Sequence, residues 1–585
     1  MSGLFDILEI GSRALFGSQL GLEVTGNNIA NANTEGYSRQ RVVFTEGLPR
    51  NTIPGMLGTG VAVEAIERYR DEFIDMQIRV QSTSYGFYAK ASEVYDRLEI
   101  VFYDSLDPLG DQPSDYDSVG LNANFSLFFN IFQDLSLEPE SGSNRIQAIE
   151  QGNTLAENFQ SMYRQLEQLQ SDLNTEILDN IDSINGIASE IASLNEQIAF
   201  AEVDDRVNAN DLRDQRDQLL NELSQYINIK VVEEDNGEVN VSFNGINLVD
   251  GVAYQPLQAI IDDDPKGYVE IVYQNERSRV LTDFIDHGEL GSLIEARDTT
   301  IPQYIEILDK LAVSLMGEVN KIHASNMGTT GYDEVVGFFE TYDSSQALSF
   351  YNNDYLNTVQ AGSFNIRVLD QDGEPLGIYT IDVDPTVDSL DDLVARIDAA
   401  DGVAGGGEFS ASVNLDGQLV ISGEGFNSLQ FQNDTSYVLA AMGINTYFTG
   451  TGASDIAVNQ YLKDNNALLA TSGDGTPGNS DGALGIAQMI DSGIMENGLT
   501  LEEFYTGYIS TLGIESRRNS QLMETHSSVL VSLQEQQEQI SGVSLDEESV
   551  NIILFQQSYT AAARLITIVD EMLDLVTNRL GIGGR

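Results

Sequence analysis

The sequence predicts an α+β, multidomain protein. Helices from both termini build a helical-bundle or coiled-coil rod, and β-rich domains are inserted in the middle. Apolar residues recur at helical spacing near both chain ends, long amphipathic stretches follow inside them, and the middle alternates apolar and polar residues around turn signals. The chain has 585 residues, which is too many for a single hydrophobic core, so several domains are expected.

The N-terminal segment carries a narrow apolar stripe whose members recur every seven residues. Leu4 and Gly11 lie on the adjoining line. A stripe at this spacing is typical of a helix that packs in the manner of a coiled coil. The stripe consists of Leu8, Leu15, Leu22 and Ile29.

The C-terminal segment repeats this design. Ser544 and Glu547 have capping-box spacing just before it, and Gly581, Gly583 and Gly584 mark its predicted end. Neither terminal helix has a core of its own, so we expect each to pair with the other or with a neighbouring subunit; periodicity alone favours pairing within the chain. The C-terminal segment has two lines of residues that recur every seven positions. The first is Leu554, Ala561, Ile568 and Leu575, and the second is Ser558, Leu565 and Met572.

Long helical stretches lie between the termini. Apolar residues step by three and four through 155–198, with a change of phase that a stutter in a long helix would produce. The stretch 208–227 is predicted to be a second helix that folds back, and 501–540 a fourth. Pro302 marks the break or the start of the third, 289–325.

The middle of the chain changes to strand-like alternation. In 229–282 the alternating residues follow an Asp-Asn-Gly turn at 235–237, a strong hairpin signal. Residues 340–450 alternate likewise and include a short predicted helix at 389–399. The Gly- and Ser-rich segment 471–482 is predicted to be a flexible surface loop.

These patterns divide the chain into four predicted parts. Because the chain leaves the helical rod and returns to it, the two termini are expected to lie side by side. The parts are the terminal amphipathic helices 1–60 plus 541–585, a helical rod 61–228 plus 284–330 plus 455–540, a small β-rich domain 229–283, and a β-rich outer inserted domain 331–454.

The charge balance is strongly acidic. The chain has 29 Lys and Arg residues against 92 Asp and Glu residues, a formal net charge of −63. Such a chain repels phosphate backbones and anionic lipid heads, so we expect neither nucleic acid nor a membrane surface as a partner. A solvated, mutually repelling surface that keeps the protein soluble is the simpler interpretation, and the scarcity of lysine fits an organism that lives in salt.

No catalytic or cofactor motif is recognisable. Cysteine is absent, which excludes disulfides, thiolate nucleophiles and Cys-based zinc sites. His287, His323 and His526 are far apart in the chain and belong to no ligand pair. The acidic clusters Asp262–Asp264 and Asp382/Asp384 lack the spacing of a calcium loop, so solvated acidic surface is the better interpretation. The sequence therefore predicts no enzyme, no cofactor and no metal site.

The N-terminus does not have the pattern of a secretory signal. Asp6, Glu9 and Arg13 interrupt every candidate apolar stretch. No continuous run approaches the roughly 18 apolar residues of a membrane span.

Two terminal sequences resemble the paired signatures of a known group. TGNNIANANTEGYSRQR at 25–41 and SGVSLDEESVNIILFQQSYTAAARLITIVDEMLDLV at 541–576 are similar to those of the bacterial flagellar axial proteins. GYSRQR, SGVSLDEE and the chain length resemble the hook-associated protein 1 (FlgK) family, as do 210–223 and 288–324. Glu35 departs from the family, which commonly has proline there. The family motif residues are Asn27, Asn28, Asn31, Asn33, Gly36 and Tyr37.

The resemblance implies a structural, non-enzymatic junction protein at the distal end of the hook, connecting it to the filament. It implies export by the flagellar type III system without a cleaved signal peptide, and an extracellular place in the flagellum. The implied partners are further copies in a ring, the hook protein, the next hook-associated protein on the filament side, and an export chaperone on the C-terminal helix. The implied seams are Leu4, Leu8, Leu15, Leu22 and Ile29 for assembly, and Leu554, Ala561, Leu565, Ile568, Met572 and Leu575 for assembly and the chaperone.

Two alternatives remain open on sequence. A sibling axial protein shares the terminal signatures, although GYSRQR and SGVSLDEE argue against it. A secreted enzyme or adhesin would need a convergent polar pocket within 340–450, where the sequence supplies no candidate residues.

Overall fold

A computed structural model describes residues 2–53, 55–102, 120–203, 207–243, 245–261, 266–350, 359–400, 402 and 407–579. The fold is α+β, with long helices at both ends of the chain and strands concentrated in the middle, as predicted. The chain divides into two compact units. The first comprises Met1–Val94, Ser171–Asp298 and Ser516–Arg585, and the second Tyr95–Gln170 and Thr299–Glu515.

The helices include those predicted at 155–198, 208–227, 289–325 and 501–540, and also Glu72–Val101 and Leu121–Leu137, which were not predicted individually. Three helices, α2, α4 and α12, contribute residues to both units. Two π-helical segments, Ala296–Thr300 and Leu575–Arg579, continue α6 and the last helix. The helices are α1 Ser2–Ala30, α2 Glu72–Val101, α3 Leu121–Leu137, α4 Gly142–Ala201, α5 Asn210–Tyr226, α6 Gly288–Glu295, α7 Ile301–Ala324, α8 Leu390–Asp398, α9 Val438–Met442, α10 Gln460–Asp464, α11 Asp481–Ala487, α12 Leu501–Ser541 and α13 Leu545–Asp574.

The strands pair antiparallel. They are β1 Gln40–Glu46, β2 Arg50–Thr52, β3 Gly55–Leu57, β4 Val61–Arg68, β5 Lys230–Glu233, β6 Val239–Phe243, β7 Ile246–Asp250, β8 Ala253–Tyr254, β9 Leu257–Ile261, β10 Val269–Tyr273, β11 Glu276–Val280, β12 Glu334–Val336, β13 Gly362–Leu369, β14 Pro375–Val383, β15 Phe409–Val413, β16 Leu419–Gly423, β17 Ser428–Gln432, β18 Phe448–Thr449 and β19 Ala457–Val458. The sheet orders are β1-β4, β2-β3, β5-β6-β7-β8, β11-β10-β9, β12-β16-β15, β14-β13-β17 and β18-β19.

In the first unit a small sheet is held against helices by buried polar side chains. The predicted hairpin joins β5 to β6, and Gly237 takes the left-handed conformation its turn requires, with φ 82°. Asn195 of α4 donates from Nδ2 to the carbonyl of Val239 at 2.8 Å and to that of Gly251 at 2.6 Å. Arg216 of α5 donates to Asn195 Oδ1 at 2.9 Å and to the Gly237 carbonyl at 2.7 Å. These bonds tie the strands of the 229–283 region to α4 and α5.

Also in the first unit, the beginning of α2 packs against the end of α12. Ile74 and Ile78 form a buried cluster with Leu533. Close by, Gln537 donates to Asp75 Oδ1 at 2.5 Å. The end of α12 is therefore fixed before the chain turns into α13.

The third predicted helical region is interrupted. It consists of α6 and α7, joined by the π-helical segment Ala296–Thr300. Pro302 lies in the first turn of α7, directly after the π-helical segment, where the hydrogen-bond pattern of the helix changes. The prediction that Pro302 marks a break or a start is confirmed.

An aromatic cluster forms part of the core of the second unit. Phe128 and Phe132 of α3 lie with ring centroids 5.7 and 5.5 Å from that of Tyr447. Phe448 lies 5.8 Å from Phe128. The buried Tyr447 hydroxyl donates to the carbonyl of Ala148 at 2.6 Å. The helices and the β-rich part of this unit therefore share one core.

The strand and helix predictions for the β-rich part of the second unit are also confirmed. Phe364, Ile366 and Val368 alternate as buried residues along β13. The helix predicted at 389–399 is α8, and Ser389 caps it reciprocally with Asp392.

The segment 471–482 has more structure than predicted. Gly475 donates its N–H to Ser472 Oγ at 2.8 Å, and Gly473 donates its N–H to Asn479 Oδ1 at 2.8 Å. The segment is a hydrogen-bonded turn region that leads into α11 rather than a loop without internal structure. Composition could not show this, because Ser and Asn side chains here replace the missing backbone partners.

The four predicted parts are distributed over the two units, and their borders stay predictions. Ranges 1–60, 229–283 and 541–585 lie in the first unit, 331–454 lies in the second, and 61–228, 284–330 and 455–540 together contribute to both. The cluster Asp262–Asp264 and the predicted helix end at Gly581, Gly583 and Gly584 lie outside the described residues.

One stretch of helix is more apolar than the sequence analysis suggested. Within Leu501–Thr577 an 18-residue window reaches a mean hydropathy of 1.3, and 11% of the window is buried. By length and composition alone such a helix can cross a membrane, although it contains no unbroken apolar run. A helix with two adjacent apolar faces also has a high mean hydropathy. Helix α13 has two such faces, as described below.

Candidate functional site: the paired terminal helices

The first and last helices of the chain pack against each other, antiparallel, within the first unit. Two glycines of α1 lie in close contact with α13. A Cβ built on Gly11 would lie 3.0 Å from Cγ1 of Ile566, and one built on Gly21 would lie 2.6 Å from the ring of Phe555. The absence of side chains at these positions lets the two backbones come close together.

A β-hairpin also packs on α1. Strand β1 pairs with β4, and a Cβ on Gly17 would lie 3.0 Å from the Phe44 ring in β1. The rings of Phe44 and Phe555 are 6.5 Å apart, so the hairpin also reaches α13. Arg50 near the hairpin tip pairs with Asp6 at 2.7 Å. The hairpin therefore fixes α1 in place along its length.

The predicted N-terminal seam is not the most buried line of α1. Leu4, Leu8, Leu15, Leu22 and Ile29 are all half-buried. The buried positions are mostly small or polar residues, and only Gly11 among them was placed on a predicted line. A signal existed, because two sets of small or polar residues each recur every seven positions. They are Gly11, Ser18 and Thr25, and Ala14, Gly21 and Asn28.

The predicted C-terminal seam lies largely on a free face of α13. Leu554, Ile568, Met572 and Leu575 are each about half exposed, Ala561 is exposed, and Leu565 is half-buried. The residues packed against α1 each follow a residue of the exposed line by one position: 555 follows 554, 562 follows 561, and 569 follows 568. One residue turns a helix by about 100°, so α13 carries two adjacent apolar faces, of which one is covered. The packed line includes Phe555, Ala562 and Val569.

The family motif closes a tight loop after α1. Asn28 is buried, donates from Nδ2 to the Gln40 carbonyl at 2.9 Å and accepts the Gln40 N–H at 2.9 Å. Its Oδ1 also accepts the Tyr37 hydroxyl at 2.8 Å. Gly36 has φ 75°, a conformation that favours glycine, and Gln218 packs directly against it. The loop between α1 and β1 is therefore held in one conformation.

The other motif residues have lesser parts in this loop. Asn31 donates from Nδ2 to Asn27 Oδ1 at 2.9 Å, and Asn33 is exposed. Burial raises the pKa of Tyr37, and the nearby Asp211 and Asp214 raise it further. The Tyr37 hydroxyl therefore stays protonated and remains a hydrogen-bond donor.

A polar anchor connects this loop to the start of α13. Arg39 donates from Nε to Glu548 Oε1 and from Nη1 to Glu547 Oε2, both at 2.7 Å, and the Glu548 side chain is only 2% exposed. The Arg39 N–H also donates to the Ser541 carbonyl at 2.7 Å. Burial lowers the pKa of Arg39, but the two glutamates outweigh it, so that pKa lies above its ordinary value.

On its other side the loop is joined to α5. The Ser38 N–H donates to Asp214 Oδ2 at 2.9 Å. Arg68 bonds to Asp214 and Asp217 at 2.7 and 2.8 Å, and Arg70 bonds to Asp217 at 2.5 Å. Burial raises the pKa of Asp217, but Arg70 and Arg68 outweigh it, so the pKa is lowered overall. The carboxylate is therefore ionised at neutral pH.

The contacts described above position helices relative to one another. Among the described residues, no group of three or more His, Asp or Glu side chains is placed to hold a metal ion. The arrangement consists of an apolar helix pair with one uncovered face, rooted in a network of arginine–carboxylate pairs. Such features suit protein–protein assembly.

Three family models match the chain. "Flagella basal body rod protein" matches residues 8–37, and "Flagellar basal body rod FlgEFG protein C-terminal" matches 536–580. These two ranges fall on the paired helices, so both ends of the chain are similar to axial proteins of the bacterial flagellum. "Flagellar hook-associated protein FlgK helical domain" matches 111–339.

Relatives match over the whole length. Flagellar hook-associated protein 1 of Bacillus subtilis is 28% identical over 594 residues, with 100% of both chains covered. The protein of the same name from Salmonella typhimurium is 27% identical over 575 residues, covering 96% of this chain and 97% of its own. A solved structure, the flagellar hook junction protein FlgK from Burkholderia pseudomallei, is 17% identical with a TM-score of 0.49, covering 80% of this chain and all of its own. The chain is therefore similar to the flagellar hook-associated protein 1 (FlgK) family, through the helical-domain model in its middle and through these relatives over its whole length.

Proposed function

We propose that this chain is the structural junction between the flagellar hook and its filament, assembling at the distal end of the hook. The uncovered apolar face of α13 is the observation that carries the proposal. Leu554, Ile568 and Leu575 keep about half of their surface in water although a second line of the same helix is packed. Exposing a continuous apolar stripe to water is energetically unfavourable, so an exposed stripe of this kind favours docking of another protein surface.

The likeness to flagellar hook-associated proteins supports a proposal for the partners. Copies of this chain form a ring, with the hook protein below and the next hook-associated protein on the filament side. The N-terminal seam, half-buried in the single chain, adds a further surface for neighbours. Its residues are Leu4, Leu8, Leu15, Leu22 and Ile29.

Before assembly, the exposed face of α13 needs protection in the cell. We assign its cover to an export chaperone that binds the C-terminal helix in a groove. Export then proceeds through the flagellar type III system with an uncleaved N-terminus. The absence of cysteine suits this route, since no disulfide has to form or break on the way.

Deletion of the gene tests the junction role. We expect hooks without filaments by electron microscopy and flagellin lost to the medium. Normal filaments on the deletion strain would reject the proposal. Removing residues 545–585 tests whether the terminal helix pair is needed for assembly. Truncated subunits that still assemble onto hooks would contradict the proposed role of α13 in docking.

A narrower test separates the free face of α13 from folding. The double variant Ile568→Ser, Leu575→Ser alters side chains that are about half exposed and lie outside the packed line, so we expect a folded chain with a small loss of stability but few attached filaments. Leu415→Ser is the matched control, because Leu415 is a fully exposed apolar residue of the second unit. Measuring the exported amount of each variant in the medium distinguishes failed assembly from failed chaperone binding. Wild-type filament numbers with the double variant would exclude the α13 face as the docking surface.

A further inference from the structure

The apolar pattern of the terminal helices leaves their register ambiguous. On α1 the close face repeats every seven residues, and α13 offers Phe555, Ala562 and Val569 at the same interval. A slide of seven residues, about 10 Å along the helix axis, therefore places similar residue types opposite each other. Heptad packing alone cannot exclude the slipped pairs.

One contact partly breaks this degeneracy. Gly21 lies directly against the Phe555 ring. A slide of one heptad would bring Ala14 or Asn28 opposite that ring instead. Alanine would crowd the ring, and Asn28 would lose its bonds to Gln40. These penalties act on single side chains, which can repack.

The stronger constraint is polar. Arg39 is fixed relative to α1 because Asn28 pairs with both backbone groups of the next residue, Gln40. Glu548 lies in the first turn of α13 and is almost completely buried. A seven-residue slide would carry Glu548 about 10 Å from Arg39 and leave a buried carboxylate without its partner.

We propose that Arg39 and Glu548, with Glu547, form a register clasp that selects one heptad register for the terminal helix pair. The clasp deepens the proposed function, because only a defined register aligns the free seam of α13 with neighbouring subunits. A single buried polar contact that fixes the register of a coiled coil acts by the same physical rule. Its own test is made on the isolated full-length chain, so the result does not depend on the junction role.

The absence of native cysteine allows a direct measurement of register. Gly11→Cys with Ile566→Cys reports the native register, because a Cβ at position 11 lies 3.0 Å from Cγ1 of Ile566. Gly11→Cys with Leu573→Cys or Tyr559→Cys reports a slide of one heptad in either direction. Each pair is oxidised with Arg39 intact and in the Arg39→Met background, and disulfide yields are compared.

With Arg39 present we expect the 11–566 disulfide to dominate. In Arg39→Met we expect the slipped disulfides to rise by about tenfold or more relative to 11–566, since each 1.4 kcal/mol lost by the native register changes the ratio tenfold. Arg41→Met is the matched control: Arg41 lies two residues away, pairs with Glu67 at the surface, and should leave the yields unchanged. Glu548→Gln, which keeps the side-chain shape, should act in the same direction as Arg39→Met.

Two results would overturn the clasp. Unchanged yields in both Arg39→Met and Glu548→Gln would show that the short turn 542–544 between α12 and α13 sets the register instead. Loss of all three disulfides in both variants would show that the contact holds the helices together without choosing among registers.

Discussion

His323 shows how a buried titratable residue can be structural. Its Nδ1 lies 2.8 Å from the Asn445 carbonyl, so Nδ1 carries the proton and donates. Its Nε2 accepts the N–H of Ala470 at 2.9 Å. Burial, helped by the nearby Arg145, lowers the pKa of His323 from 6.5 to about 4, although the hydrogen bond to Asn445 acts in the opposite direction. A second proton would place Nε2–H against another donor, so the neutral ring is the form that fits.

We predict an acid-dependent loss of stability in the second unit. Below pH 6.5 the unfolded chain binds a proton on His323 that the folded chain refuses until about pH 4. The contribution of His323 to the free energy of unfolding is therefore fully present above pH 6.5. It is lost as the pH drops towards 4, by up to about 3 kcal/mol at 1.36 kcal/mol per pKa unit. Denaturant unfolding between pH 7 and pH 4 measures the effect.

His323→Gln is the test variant, because glutamine can donate and accept but does not titrate in this range. We expect a shallower pH dependence than in the wild type. His287→Gln, at an exposed position, is the control and should leave the dependence unchanged. An identical slope in His323→Gln would contradict the assignment.

At the scale of the element, the packing of α1 against α13 depends on the absence of large side chains from one face of α1. Its buried face includes glycine, serine and threonine, whereas the leucines are only half-buried. Small residues let backbones approach, and the larger side chains of α13 fill the space. The same rule explains why the Leu-rich seam remains half-buried and why α13 keeps a second apolar face in water.

Gly21→Ala should therefore weaken the pair. The added methyl group would meet the Phe555 ring at 2.6 Å, and we expect a loss of about 1–3 kcal/mol from overpacking. Gly26→Ala is the matched control in the same helix: nothing lies within 4 Å of its Cβ, and alanine should stabilise the helix by about 0.5–1 kcal/mol. Hydrogen-exchange protection of α13 amides gives both values. Equal protection in the two variants would show that the Gly21 contact does not limit the packing.

At the scale of the whole molecule, charge opposes folding. The net charge of −63 makes the compact state repel itself, and salt reduces this repulsion as the Debye length falls from about 30 Å at 0.01 M to about 3 Å at 1 M. We predict that the melting temperature at pH 7 rises by several degrees over this range of NaCl. The same titration at pH 4 is the control, because partial protonation of the carboxylates should shrink the effect. A melting temperature at pH 7 that stays constant or falls with salt would refute the prediction.

Sequence reasoning succeeded where local chemistry decides structure. The Asp-Asn-Gly turn at 235–237, the short helix at 389–399 and the position of Pro302 follow from rules that act within a few residues, and the structure confirms all three. It was less successful for 471–482, because side-chain-to-backbone bonds there depend on geometry that composition does not show.

By itself, the sequence of this protein determined the helix and strand types, the acidic surface, the lack of cysteine chemistry and the family signatures at both ends. Each of these can be recognised from periodicity, composition or a short motif. Only the tertiary structure decided which of the two apolar lines of α13 is covered, and that Arg39 meets Glu548 across 509 residues of chain. The physical reason is that helical periodicity specifies the faces of a helix but not its neighbours. Which face is buried depends on contacts between distant segments.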